Sequence, residues 1–101
     1  MLESVPSGGV TNTKVSVGTS ATKILDRNPN RLGFSLQVRK TETASVYIGG
    51  ATVTTDTGHE VYDNGDHFAF SGEGLYRGEL YGIVTTGTVN VRVMEFIRGD
   101  P

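Results

Sequence analysis

Arg31-Leu-Gly-Phe-Ser-Leu-Gln-Val-Arg-Lys40 decides the fold class of this 101-residue chain. Its apolar residues Leu32, Phe34, Leu36 and Val38 fall at every second position, with Gly33, Ser35 and Gln37 between them. Successive side chains of a strand point to opposite faces, so this spacing predicts one strand with one buried face. A second period of two runs through Thr88-Val-Asn-Val-Arg-Val-Met-Glu-Phe-Ile97, where Val89, Val91 and Val93 alternate with Asn90 and Arg92. Met94 and Phe96 then fall on the opposite, outward face, which implies that something covers the last strand, either its own domain or a neighbouring subunit.

Working outward, weaker strands are predicted at 11–17 (Val15 and Val17 inward), 22–26, 44–48 (Val46, Ile48), 59–62, 66–70 (Phe68, Phe70) and 79–84. Turn chemistry separates them. Pro29 fixes φ in Asn28-Pro-Asn30, Gly49-Gly50 allows positive φ, and Asp63-Asn-Gly-Asp66 reads as a hairpin turn. About eight short strands at this spacing predict an all-β fold, an antiparallel β-sandwich or jelly roll.

Composition agrees. Val and Thr, stiff at χ1 and suited to a pleated surface, dominate over Ala and Leu. Fourteen glycines suit many tight turns and would weaken helices. The length fits one domain, with residues 1–9 (rich in Ser, Gly and Pro) as a flexible N-terminal arm, 10–97 as the sandwich and 98–101 as a short tail. No solenoid period or heptad is present.

The absence of cysteine excludes disulfides, thiolate nucleophiles and cysteine-bound metals, and leaves the redox compartment undetermined. Nine basic against eleven acidic residues, a net charge of −2, provide no global positive field for nucleic acid or an anionic membrane. The N-terminal residues lack a secretory signal, and no apolar run approaches the ~20 residues needed to cross a bilayer. The expectation is a soluble protein made in a cytoplasm, without membrane or nucleic-acid partners.

Candidate chemistry is thin. His59, Glu60, Asp63, Asp66 and His67 bring imidazole and carboxylate together around one turn, where His59 and His67 could meet across a hairpin and hold a divalent ion. The plainer reading, polar residues flanking an exposed turn, is preferred, and no metal or other cofactor is expected. Asp63-Asn-Gly-Asp66 lacks the spaced ligands and closing glutamate of a calcium loop. Gly72-Glu-Gly-Leu-Tyr-Arg-Gly78 has the glycine density of a phosphate cradle but no G-x-G-x-x-G, no Lys-Ser/Thr pair and no following helix, so it reads as a loop. There is no G-x-S-x-G elbow, and no carboxylate pair stands in a context that would tune it for acid catalysis. No catalytic residue is assigned and the chain is read as not an enzyme. Tyr47, Tyr62, Tyr76 and Tyr81 could present flat rings to a sugar, although sheet packing is their ordinary role. Arg98-Gly-Asp100 spells a receptor-recognised tripeptide, but at the chain end it reads as an uninformative terminus.

The stretch from Val10 to Ile97 resembles a group of small virion structural proteins of tailed bacteriophages. The resemblance lies in the order of Val15-Ser-Val-Gly-Thr-Ser-Ala-Thr-Lys-Ile-Leu25, Asn28-Pro-Asn-Arg31, Ser45-Val-Tyr-Ile-Gly-Gly50, Val53-Thr-Thr55, Gly58, Gly65-Asp66, Leu80-Tyr-Gly-Ile-Val84 and Gly87-Thr-Val-Asn-Val-Arg-Val93. The chain departs from that pattern at Asp63-Asn-Gly65, where a Pro-Gly kind of turn is usual, and in the longer segment from Gly72 to Gly78. The resemblance implies a non-enzymatic capsid decoration (cement) or head-fibre protein on the virion surface. Its partners would be the major capsid protein or another virion protein, and it would act as a homo-oligomer. The apolar arm residues Leu2, Val5 and Pro6, together with Met94 and Phe96, are the expected interface. The competing expectation is a carbohydrate- or receptor-binding sandwich on a virion or cell surface.

Overall fold

The computed structural model of the chain describes residues 9–72 and 74–98. Eight strands follow one another: β1 Gly9–Val17, β2 Thr22–Leu25, β3 Arg31–Val38, β4 Val46–Gly49, β5 His59–Val61, β6 His67–Ser71, β7 Leu80–Ile83 and β8 Val89–Ile97. They form two four-stranded sheets, ordered β1-β8-β3-β6 and β2-β7-β4-β5. Every recorded strand pair is antiparallel. Apart from β4 to β5, each connection carries the chain from one sheet to the other, the strand order of a jelly roll. The expected all-β sandwich is therefore the observed architecture, and no helix occurs among the described residues.

The core is what the period of two predicts. Val89, Val91 and Val93 of β8 and Phe34, Leu36 and Val38 of β3 point inward, against Ile24, Val46, Ile48, Val61 and Leu80 of the second sheet. Each such side chain removed from water contributes about 1.5–3 kcal/mol, which offsets the entropy of ordering a chain so rich in glycine. Most of these residues are β-branched, so they enter the core with little rotamer freedom to lose.

Four expectations are corrected. Leu32 is not on the buried face: it is 44% exposed, whereas Arg31 is 0% exposed. The β3–β8 register shifts between Arg31 and Gly33, pairing Arg31 with Ile97 and Gly33 with Phe96. Leu32 is the extra residue of this bulge, and the bulge reverses the alternation at the start of the strand. Residues 62–66 are not a hairpin turn, because β5 pairs with β4 and β6 pairs with β3. They carry the chain between sheets. There Gly65 has φ +91°, its N–H donates to the Val38 carbonyl at 3.0 Å, and the Val38 N–H donates to the Asp66 carbonyl at 3.1 Å. A side chain at Gly65 would be strained in that conformation. Gly49 and Gly50 do not use positive φ. What constrains Gly49 is a close approach, since a Cβ there would lie 3.0 Å from Val53 Cγ2. Finally, Gly9 belongs to β1 and not to the arm; Leu2, Val5 and Pro6 lie outside the described residues.

The inverted start of β3 sets Arg31 among fixed acceptors. Its Nε donates to Glu95 Oε2 at 2.7 Å, Nη1 donates to the carbonyls of Tyr76 (2.9 Å) and Gly78 (3.2 Å), and Nη2 donates to the carbonyl of Asp26. The guanidinium carbon also lies 5.5 Å from the Phe34 ring centroid. Glu95 continues the inward phase of Val89, Val91 and Val93, so β8 places a carboxylate on an otherwise apolar face and Arg31 neutralises it. No buried side-chain nitrogen or oxygen among the described residues lacks a hydrogen-bond partner.

Breaking a buried, hydrogen-bonded ion pair leaves the remaining charge uncompensated. Arg31→Ala is expected to destabilise the fold by about 3–5 kcal/mol in urea denaturation. Arg31→Lys is expected to recover little of this, because a single ammonium cannot reach acceptors spread around a planar fork. A loss under about 1 kcal/mol, the range of an exposed pair, would refute a structural role for this cluster.

Candidate functional site

The two outward faces of the sandwich carry the exposed side chains that can meet a partner, and they differ in chemistry. On the β1-β8-β3-β6 sheet, register fixes the neighbours. Val10 faces Phe96, Asn12 faces Met94, Lys14 faces Arg92 and Ser16 faces Asn90. Across β8, Met94 faces Ser35 and Arg92 faces Gln37, and these two face Ala69 and His67 of β6. The result is a graded surface. At one end Val10 (52% exposed), Met94 (37%) and Phe96 (38%) join Leu32 of the bulge in an apolar area. Toward the other end Lys14, Arg92 and His67 fall in a single row across the sheet.

No strand residue projecting from this face is a carboxylate. Glu42 reaches one end of it, where Oε1 accepts the Asn90 backbone N–H at 2.9 Å. A shallow concavity of about 390 Å³ crosses the sheet between Asn12, Ser35, Gln37, His67, Arg92 and Met94. Met94 and Phe96, expected on the outward face, are there, and no element of the described chain covers them.

The β2-β7-β4-β5 sheet presents tyrosines and carboxylates. Tyr47 and Glu60 are cross-strand neighbours, as are Lys23 and Tyr81. The Tyr47 hydroxyl donates to Glu60 Oε2 at 3.2 Å and the Tyr81 hydroxyl to Glu79 Oε1 at 3.2 Å. Lys23 Nζ lies 2.8 Å from Asp26 Oδ1 and 3.5 Å from Glu79 Oε2. Of the four tyrosines considered for a sugar platform, Tyr47, Tyr62 and Tyr81 belong to this side. Tyr76 lies apart in the β6–β7 loop, with its hydroxyl bonded to the Glu79 carbonyl at 2.7 Å.

The remaining sequence candidates separate. His59 sits in the second sheet with its ring 5.2 Å from that of Phe68, whereas His67 opens β6 in the first, so the two histidines do not face each other across a hairpin. Among the described residues, no group of three or more His, Asp or Glu side chains is placed to hold a metal ion. The Gly72–Gly78 loop turns its Tyr76 and Gly78 carbonyls toward the Arg31 guanidinium, the opposite polarity from a phosphate cradle. Gly99 and Asp100 of the tripeptide lie outside the described residues. A second cleft, about 440 Å³, opens between the sheets where Thr11, Thr13 and Glu95 face Leu25, Asp26 and Arg27, and it holds no convergent reactive pair.

Sequence reasoning missed the Lys14–Arg92 pairing, because register between the first and last strands is invisible without pairing partners. It also missed Glu95, although a carboxylate two residues beyond Val93 in the inward phase is a visible signal that a cation must come to meet it.

Partial burial raises the pKa of Tyr47, reinforced by Glu60, and that of Tyr81, reinforced by Glu79. Hydrogen bonding to Asp26 raises that of Lys23. All three groups hold their protons more tightly in the folded chain, so their contribution to stability is complete below the ordinary Tyr and Lys range near pH ~10 and is lost as pH rises through the raised values. Melting temperature is expected to fall on the alkaline side, and Tyr47→Phe with Tyr81→Phe to flatten that fall. An unchanged alkaline limb in the double variant would assign the loss to other groups.

No protein-family model matches this chain, and no curated protein does either. One similar solved structure comes from work described as "Bacillus endospore appendages form a novel family of disulfide-linked pili". The likeness covers 95% of this chain and 90% of that one, at a TM-score of 0.57 and 17% identity. At that identity it is a likeness of fold.

Proposed function

We propose that this chain is a non-enzymatic structural subunit that works in repeated copies within a larger protein assembly. The observation that carries the reading is the uncovered outer face of the β1-β8-β3-β6 sheet, where Val10, Leu32, Met94 and Phe96 stay exposed on an otherwise well-packed sandwich. An exposed apolar area rimmed by polar side chains is the signature of a surface that meets another protein. The described residues offer no convergent nucleophile, base or metal cluster to compete with it.

The setting drawn from the sequence resemblance is a virion. There the protein docks on the capsid lattice as a decoration or head-fibre component, with the major capsid protein as its partner, and stabilises the shell. Leu2, Val5, Pro6, Met94 and Phe96 are the interface residues in this reading. A lattice multiplies modest contacts by valency, so a small domain without a deep pocket binds firmly. The fold likeness to a pilus protein favours a second setting, a surface appendage. Because this chain has no cysteine, a polymer built from it would be held without the disulfide links named for that protein.

The test is sedimentation of the purified protein alone and with phage heads that lack it. Stoichiometric copurification with heads, and heads that resist heat or osmotic shock better once decorated, support the virion setting. Polymers formed by the protein alone support the appendage setting. A protein that stays monomeric and binds no head, or turnover of a substrate, would overturn the structural reading.

A further inference from the structure

We propose that the two outer faces of the sandwich are complementary docking surfaces for a second copy of this chain, the β1-β8-β3-β6 face of one copy seating on the β2-β7-β4-β5 face of the next. This rests on the reading of the chain as a repeated structural subunit, and it specifies which surfaces meet.

The first observation is a cost without local return. Lys14 and Arg92 stand directly opposite each other on neighbouring strands, and like charges in that arrangement destabilise a sheet. No ion pair engages either of them among the described residues. His67 extends the same row at the far edge, and the intervening Gln37 adds a hydrogen-bond donor. Placing two cations together on a face without a strand-borne carboxylate favours an anionic surface laid over it.

The second observation is where carboxylates gather. On the opposite side of the sandwich Lys23 pairs with Asp26 and Glu79 while Glu60 accepts from the Tyr47 hydroxyl, so carboxylates outnumber the ammonium around the two tyrosines. Those carboxylates flank Tyr47 and Tyr81, whose rings suit both the guanidinium of Arg92 and the apolar end formed by Val10, Met94 and Phe96.

Geometry supplies the consequence. Two different faces on opposite sides of one molecule form a heterologous contact, which leaves a docked pair with one free face of each kind and so builds an open row or a ring. The β2-β7-β4-β5 sheet is the smaller face: four strands at ~4.8 Å spacing and three or four residues of ~3.3 Å rise give ~250 Å² from its strands. The ~500 Å² that the strands alone bury in total is below the range of specific interfaces, so a single contact is weak and only an array of them is firm. Much of the attraction is between partly exposed charges, so the contact weakens as salt shortens the screening length.

The experiment is sedimentation velocity and negative-stain imaging of the full chain at low and high salt, with charge reversals on each face. Lys14→Glu/Arg92→Glu and, separately, Glu60→Lys/Glu79→Lys are each expected to weaken self-association by tenfold or more, about 1.4 kcal/mol. The chain carrying all four substitutions, with its polarity exchanged, is expected to associate again. The milder Arg92→Gln and a salt titration of the unaltered protein give the same direction without reversing charge, and circular dichroism melting checks that each variant is folded. Association that ignores salt and both reversals, or reversals that the fourfold exchange fails to rescue, would overturn the pairing of faces while leaving repeated assembly intact. An unaltered protein that remains monomeric overturns the pairing too, and the structural reading then stands or falls on its separate binding to heads.

Discussion

A buried guanidinium organises one end of this sandwich. Arg31 is drawn inward by the bulge at Leu32, and once inside each of its three guanidinium nitrogens must find an acceptor, because an unpaired charge away from water is intolerable to a small domain. It does so with one carboxylate from β8, one carbonyl from the segment after β2, and two from the β6–β7 loop. One side chain thereby ties the start of β3 to the segment just before it and to two stretches remote in sequence, the β6–β7 loop and β8. The β6–β7 loop has little regular structure, yet it is held from both directions: its carbonyls accept from Arg31, and Arg77 Nε donates back to the Arg31 carbonyl at 3.0 Å. Apolar burial supplies most of the stability of such a domain, but it is non-directional; the guanidinium fixes how this end closes.

That division of labour has a consequence for the surface. Core valines and the Arg31 cluster carry most of the stability of the fold, so the outward positions of either sheet are freer to carry a chemistry chosen for a partner. Ser16, bonded to Asn90 Oδ1 at 2.8 Å, shows what a sheet face looks like when it only has to meet water. Lys14 and Arg92, one step along the same pair of strands, are harder to explain on stability grounds, and Met94 and Phe96 harder still, since exposing them gives up the gain that Val91 and Val93 make on the other face of β8.

Much of the fold was legible because β-structure writes its inside and outside at every second residue. The alternation through Phe34, Leu36 and Val38 and through Val89, Val91 and Val93 locates the two strands that carry the core, and all eight strand positions follow from runs of the same kind. What the alternation cannot carry is a change of phase. At Leu32 the bulge shifts the pattern by one, so an apolar residue in perfect phase emerges in solvent and a charged one is buried; the clue lay in Glu95, out of place on an apolar face. Nor can alternation say which sheet a strand joins. Asn64-Gly65 has the composition of a hairpin turn, but β5 and β6 find better partners in β4 and β3, and the turn is pinned across to the end of β3 by the Val38 hydrogen bonds. The candidate site suffered most from this limit. Met94 and Phe96 were visible as outward apolar residues, whereas the cationic row exists only after β1, β8, β3 and β6 are set side by side.

Without cysteine, an assembly of this chain is held without disulfide links, which leaves the work to contacts between surfaces. Such contacts must be numerous or individually strong, and a face of four short strands with a shallow concavity does not provide a deep anchor. Number is therefore the available route. A jelly roll suits it physically: its two sheets are rigid, roughly parallel plates whose outer faces look in opposite directions, so every copy can be engaged on both sides at once without bending. Rigidity matters because the entropy of docking is then mainly that of the body as a whole, and few side chains need to be ordered on contact. An apolar area beside a cationic row on one plate, and tyrosines among carboxylates on the other, give the contact a direction that apolar surface alone would not impose. The same polarity disfavours pairing of two like faces, since Lys14 and Arg92 of one copy would meet Lys14 and Arg92 of another.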